Sequence, residues 1–219
     1  MKKYKAILFD LDGTLTRSGD GILSSVRKTF EEMGKPLPPI EELRRFIGPP
    51  LADSMKRCGF TPEESQRGIA LYKKSYAEKG MYINDVYEGI PQVLKALRSQ
   101  GYLLATATTK MNAFAIKVMD YFSLTAYFDF IGAASADGTR KSKAQVILYA
   151  LENMKVAPSE AVLVGDTIYD AQGAVDTGCD FIGVTYGYGI REEMAQCCSQ
   201  ARFADTPQDI LRLILATNP

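Results

Sequence analysis

The sequence predicts an α/β fold: a parallel sheet with helices on both faces, and a block of helices inserted after its first strand. Two observations carry this reading. Beyond about Asp85, apolar runs of strand length alternate with stretches of helical periodicity, as in a sheet built from parallel crossovers. Between about Ser18 and Gly80 the strand-like runs disappear and only helical spacing remains. The 219 residues accommodate a core domain and a smaller lobe.

Residues 5–10 (KAILFD) form an apolar run that ends in an acid and leads to Gly13, a buried strand entering a turn. Ile22, Val26, Phe30 and Met33 then recur at helical spacing, until Gly34 and the KPLPP segment at 35–39 stop that helix. Leu43, Phe46 and Ile47 mark a short second helix, broken by Gly48, Pro49 and Pro50. Leu51, Met55 and Cys58 mark a third. Thr61-Pro62-Glu63-Glu64 combines a capping box with proline at the first helical position. It opens a fourth helix with the stripe Ile69, Tyr72 and Tyr76, ending near Gly80. Beyond it, strands are predicted at 102–107, 130–133, 161–165 and 181–184. Helices are predicted at about 91–100, 112–122, 143–154, 170–177 and 206–215. Ligands of open α/β sheets bind beyond the carboxyl ends of the strands. The distinctive residues collect there: Asp10 ends the first strand, Thr108 follows the second, and Gly165-Asp166 closes a later one.

Composition narrows the chemistry. The chain is 46% hydrophobic and 24% charged, ordinary for a globular protein. Its 26 basic and 26 acidic residues balance, so no net field recruits nucleic acid or an anionic membrane. A small anionic substrate would have to be held by local charge. Cysteines 58, 179, 197 and 198 form no C-x-x-C pair and no metal-like spacing, and read as free thiols in a reducing compartment. The basic Met1-Lys2-Lys3 precedes an apolar run too short for a signal peptide, and no stretch reaches membrane-span length, so a cytoplasmic protein is expected. Histidine is absent. That removes the commonest general acid–base, the commonest zinc ligand and every Ser-His-Asp triad. Carboxylates, lysines, hydroxyls, thiols and a hard metal ion are what is left.

Four segments carry such chemistry. In Asp10-Leu11-Asp12-Gly13-Thr14, side chains two apart on an extended segment project to one side, so both acids can face one site. Two close carboxylates raise one pKa or demand a cation. The same letters also suit a polar strand end with Asp-Gly as a turn. Gly165-Asp166-Thr167-Ile168-Tyr169-Asp170 places two more acids at the mouth of the sheet, oxygen ligands of the kind magnesium favours. Asp170 could equally cap the next helix. In Arg140-Lys141-Ser142-Lys143-Ala144-Gln145, a capping box puts Lys143 in a first helical turn, where a cation opposes the helix dipole unless an anionic site balances it. A solvated surface lysine is the plainer reading. Ala105-Thr106-Ala107-Thr108-Thr109-Lys110 ends a strand in hydroxyls and a lysine, where a hydroxyl and free backbone amides can hydrogen-bond a phosphoryl oxygen, though threonine is common in strands.

In this order, the four segments resemble the signature of the haloacid dehalogenase superfamily of phosphotransferases, over nearly the whole chain. The branch most similar is the phosphoglycolate-phosphatase-like one, through Phe46-Ile47-Gly48-Pro49-Pro50-Leu51 and Gly183-Val184-Thr185-Tyr186-Gly187-Tyr188-Gly189. The resemblance implies a Rossmann-like catalytic core from 1–15 and 85–219 and an inserted α-helical cap domain at 16–84. It implies Asp10 as nucleophile and Asp12 as general acid–base, with Thr108 holding the phosphoryl group and Lys143 neutralising charge. Asp10, Asp166 and the Asp12 carbonyl would surround Mg2+, supported by Asp170. Gly13, Thr109 and Lys110 would contact the substrate, and Arg45 of the cap could face the leaving group, although arginines on a helix surface are more often simply solvated. Arg17 departs from the pattern, standing where many relatives have an aspartate.

The activity implied is hydrolysis of a small phosphorylated metabolite through an aspartyl-phosphate. Phosphoglycolate-like compounds, nucleotides, pyrophosphate and sugar phosphates are all open as substrates. The partners implied exclude nucleic acid and membrane, and the protein would be a monomer or weak homodimer. Dehalogenases and phosphonate-cleaving relatives lack the second acid, here Asp12. A phosphomutase of the same fold is the alternative, but it would be expected to carry a histidine near Gly21-Ile22-Leu23. A response-regulator receiver also phosphorylates an aspartate on a parallel sheet, yet it has no helical insertion of this kind.

Overall fold

The computed structural model describes residues 4–217. The chain divides into two compact units, Arg17–Asp85 and the segments on either side of it. It enters through β1 (Ala6–Phe9), whose four side chains are all buried. A central strand of a parallel sheet is covered on both faces, so its sequence is uniformly apolar instead of alternating.

The smaller unit contains α1 (Gly19–Glu32), α2 (Ile40–Arg44), α3 (Leu51–Arg57), α4 (Pro62–Glu78) and a 3-10 turn at Gly80–Tyr82. Its core gathers around Phe30 of α1, which meets the Phe46 and Phe60 rings edge-on at 5.9 and 5.1 Å. The expected capping box opens α4: Thr61 Oγ1 accepts from the Glu64 N–H, and Glu64 Oε2 accepts from the Thr61 N–H. The stripe on α4 differs from expectation. Ser65, Gly68 and Tyr76 are buried, whereas Ile69 and Tyr72 are half-buried. Gly68 lies beneath Met55 and Phe60, so a small residue rather than a large apolar one forms that contact.

The larger unit continues with α5 (Ile90–Ser99), β2 (Leu103–Met111), α6 (Asn112–Tyr121), β3 (Phe130–Ala134), α7 (Lys143–Met154) and β4 (Ala161–Gly165). There follow α8 (Ile168–Thr177), β5 (Asp180–Val184), α9 (Arg191–Cys197), β6 (Arg202–Ala204) and α10 (Pro207–Thr217). The six strands form one parallel sheet in the order β3-β2-β1-β4-β5-β6. Right-handed crossovers then place α5 and α6 on one face and α7, α8 and α9 on the other. Alternation along the strands matches: Ala6, Leu8, Ala105, Ala107, Ala161 and Leu163 pack with Val146, Ile147, Ala150 and Leu151 of α7. On the opposite face, Phe9 meets Phe128 edge-on at 6.1 Å.

The chain first builds outward from β1 to β3 and then returns over α7 to β4, on the other side of β1. The crossovers diverge between β1 and β4, so a crevice opens beyond the carboxyl ends of these two strands. Asp10 and Asp166 are the residues that follow them.

Three features lay outside the expected elements, the first being the seven-residue helix α9. The edge strand β6 has three residues, too few for a periodicity to register. Strand β2 runs past Ala107 to Met111, with an irregularity in its register against β3 between Thr108 and Met111. All four cysteines are free. Among the described residues, no helix is long and apolar enough to cross a membrane.

Candidate active site

Asp10 is one residue beyond β1, and its N–H continues the ladder by donating to the Val164 carbonyl at 2.9 Å. Strand alternation sends its side chain toward the α7 face, like Ala6 and Leu8. Lys143 meets it there. Its Nζ lies 2.8 Å from Asp10 Oδ1 and 2.7 Å from Asp170 Oδ1, and donates to the Ala107 carbonyl at 2.8 Å. Lys143 is the first residue of α7, directly behind the reciprocal Ser142–Gln145 capping box. The opposing helix dipole is offset by two carboxylates and a carbonyl.

Asp170 serves two purposes at once. Its Oδ2 accepts from the Thr167 N–H at 2.9 Å and the Thr167 hydroxyl at 2.7 Å, capping α8, while Oδ1 faces Lys143. Asp166 is fully buried; its Oδ1 accepts from the Thr14 hydroxyl at 3.3 Å and its Oδ2 from the Tyr188 N–H at 2.8 Å. Asp10, Asp166 and Asp170 each present an oxygen within 4.8 Å of the others.

Burial dominates the electrostatics. It pushes the Asp10 carboxyl up to about 6 although Lys143 pulls the other way, and the Asp170 charge adds to the rise. Burial, then Asp170 and Asp10, hold Asp166 well above the usual carboxylate range. For Lys143, burial opposes the charged form, but Asp10 and Asp170 outweigh it and raise its pKa.

Asp12 stands apart from the buried trio. It is half-buried, and Lys110 Nζ donates to its two carboxylate oxygens at 2.9 and 2.7 Å. Thr108 is buried and its hydroxyl accepts from the Lys110 N–H at 3.2 Å; Thr109 between them is half-buried. Gly13 has a φ of +86°, and a Cβ there would fall 2.1 Å from Asp166 Oδ2, so glycine is required.

The residues present fit a divalent cation. With all four ionised, Asp10, Asp12, Asp166 and Asp170 exceed the two ammonium groups of Lys110 and Lys143 by two negative charges, which a divalent cation would balance. Among the described residues, Asp10 Oδ1 and Asp170 Oδ1 are buried without a hydrogen-bond partner, and the Lys143 ammonium lies 2.8 and 2.7 Å from them. An all-oxygen set of this kind suits a hard ion.

The fold thus unites Asp10, Lys143, Asp166 and Asp170, and sets Asp12, Lys110, Thr108 and Gly13 beside them. Arg45 belongs to the smaller unit, where it is exposed and lies 3.3 Å from Glu42. Arg17 is exposed too, its N–H donating to the Asp85 carbonyl at 2.7 Å. Sequence reasoning missed the Asp12–Lys110 pair and the hold of Thr14 and Tyr188 on Asp166. The Gly187-Tyr188-Gly189 run, separated by two residues from the strand that ends at Val184, was the available signal for the second.

An open parallel sheet with buried acids at its switch point, bridged by a lysine, forms a carboxylate-rich site that fits a metal. The chain belongs to the haloacid dehalogenase-like hydrolases, whose family model matches residues 7–184. It is 36% identical over 183 residues to the tyrosine-protein kinase PtkA of Mycobacterium tuberculosis, covering 84% of this chain and 62% of that protein's length. It is 36% identical to a 5'-nucleotidase of Pseudomonas aeruginosa, covering 88% of this chain and 87% of the relative. It is 32% identical to the phosphoglycolate phosphatase of Nitrosospira multiformis, with 84% of each covered. The crystal structure of a predicted phosphatase from Clostridium acetobutylicum superposes with a TM-score of 0.91 at 35% identity, over 97% of this chain and 99% of that one.

Proposed function

We propose that this chain is a magnesium-dependent phosphatase that hydrolyses a small-molecule phosphate monoester through an aspartyl-phosphate on Asp10. The observation that carries the reading is the buried Asp10–Lys143–Asp170 bridge beside Asp166. Magnesium would be held by Asp10, Asp166, Asp170 and the Asp12 carbonyl, and would supply charge neutralisation at the phosphoryl oxygens.

The chain's own residues divide the reaction between them. An Asp10 carboxylate oxygen attacks phosphorus while the ester P–O bond breaks, and Asp12 gives its proton to the departing oxygen. Asp12, now a carboxylate, takes a proton from water as the water oxygen attacks phosphorus. The bond between Asp10 and phosphorus opens, and inorganic phosphate leaves. Thr108 donates its hydroxyl to a phosphoryl oxygen, and Lys143 offsets the charge gathered between nucleophile and phosphoryl group. Lys110 holds Asp12 in place, while Gly13 and Thr109 offer backbone close to the phosphoryl group. Arg17–Asp85 acts as the cap, with Arg45 contributing to substrate choice.

The small-molecule substrate is inferred from the 5'-nucleotidase and the phosphoglycolate phosphatase, both aligned over most of their length. The kinase relative is matched over 62% of its length, so its activity carries less weight. A phosphomutase role draws no support from the chain, which has no histidine.

The test is phosphate release from 2-phosphoglycolate, nucleoside 5'-monophosphates, pyrophosphate and sugar phosphates, before and after chelation. At least one compound should be hydrolysed, with activity lost to chelator and restored by magnesium. Release from none, or full activity after rigorous chelation, would overturn the proposal.

A further inference from the structure

Asp166 is enclosed by a segment that the mechanism above does not use. After β5 the chain forms the loop 185–189, and its Tyr188 N–H is the donor to Asp166 Oδ2 at 2.8 Å. The loop is anchored from its other side as well. Tyr186 donates its hydroxyl to the Thr14 carbonyl at 3.0 Å, and the hydroxyl of that same Thr14 donates to Asp166 Oδ1 at 3.3 Å. Both oxygens of one buried carboxylate are therefore fixed by two segments that are themselves tied together.

The approach is close enough to dictate residue type. A Cβ on Gly187 would lie 2.3 Å from the Asp166 Cβ and 2.5 Å from its Oδ2. A Cβ on Gly189 would lie 1.9 Å from the Asp166 carbonyl oxygen. No real Cβ tolerates such separations, so the loop can lie against Asp166 only with glycine at these positions.

We infer that Tyr186–Gly189 is a positioning clamp that sets the rotamer of Asp166 and through it the affinity of the site for its divalent cation. The inference rests on the reading of Asp10, Asp166 and Asp170 as cation ligands. Its physical basis is pre-organisation: partners that fix a ligating carboxylate typically change metal affinity 10- to 100-fold when lost. Without the clamp, Asp166 gains rotamer freedom that binding must remove again, and the accepted hydrogen bonds no longer orient its lone pairs.

The test measures metal binding directly. Magnesium and manganese are titrated calorimetrically into the full chain, as wild type, Gly187→Ala and Tyr186→Phe, and melting temperatures are recorded with and without metal. Gly187→Ala displaces the loop; Tyr186→Phe removes one hydroxyl at nearly constant shape and decides the matter if the first variant does not fold. We expect affinity about tenfold weaker or worse in Gly187→Ala and severalfold weaker in Tyr186→Phe, with a smaller metal-dependent rise in melting temperature in both. Wild-type affinity in a folded Tyr186→Phe, even with a lowered melting temperature, would reduce the loop to a structural element and overturn the inference. Wild-type protein that binds neither ion would instead overturn the cation reading itself.

Discussion

Lys110 Nζ reaches both carboxylate oxygens of Asp12, at 2.9 and 2.7 Å, across 98 positions of sequence. Asp12 follows β1, Lys110 lies in the irregular last stretch of the neighbouring β2, and that stretch carries the lysine past Thr108 toward the acid. Both side chains are largely shielded from solvent, so the pair is a fixed part of the site and not a surface ion pair.

If Lys110 positions Asp12, both proton transfers depend on it. Lys110→Met should lower kcat/KM for a small aryl phosphate by about 10- to 100-fold, ~1.4–2.7 kcal/mol of transition-state stabilisation. Lys110→Arg should recover part of the loss. Steady-state kinetics decide the point, and unchanged rates in the methionine variant would detach the pair from the mechanism.

Asp10→Asn keeps the shape of the side chain and removes a charge from a buried site where burial already opposes it. The variant should remain folded by circular dichroism yet lose turnover, and no phosphorylated aspartate should be trapped by mass spectrometry. Phosphate release near the wild-type rate would exclude Asp10 as nucleophile.

Lys143 is buried between Asp10 and Asp170, so removing it leaves two carboxylates facing one another unpaired. Breaking a buried pair in this way costs about 3–5 kcal/mol. Lys143→Met should melt well below the wild type in the absence of metal and regain part of the difference when magnesium is added. It should also depress every substrate alike, because it acts on the group they share. Equal melting temperatures with and without Lys143 would contradict this account.

If Asp10 ligates a cation, protons compete with the metal for it. The carboxyl is pushed up to about 6, so it is mostly ionised at pH 7 and mostly protonated at pH 5. A cation requires the ionised form, and its apparent affinity must therefore fall as pH drops through 6. Asp10 alone accounts for about a tenfold loss between pH 7 and pH 5, and Asp166, also held well above the usual carboxylate range, adds to it, with protons released on binding. Calorimetric titration in buffers of different ionisation enthalpy measures both. A pH-independent affinity would remove Asp10 from the ligand set.

Much of this protein was determined by its sequence alone. The uniformly apolar AILF of β1, the strand–helix alternation after Asp85 and the helical spacing of Ile22, Val26 and Phe30 depend on local periodicity, which one chain segment displays by itself. The capping boxes at Thr61 and Ser142 are equally local, joining residues three apart. Asp10, Asp12, Asp166 and Asp170 stood out as acids gathered at strand ends, and Lys143 as a cation in a first helical turn, where it opposes the helix dipole. Tertiary structure decided what each of them meets. No local rule could turn Lys110 toward Asp12 or place Tyr188 and Gly187 against Asp166, because those contacts follow from the order of strands in the sheet. The same ordering brings the ends of β1 and β4 side by side, raises Asp10 by burial and turns the Asp170 oxygen left over from its local helix cap toward Lys143. Side-chain chemistry is written along the chain, whereas proximity, desolvation and charge balance exist only once distant segments have packed.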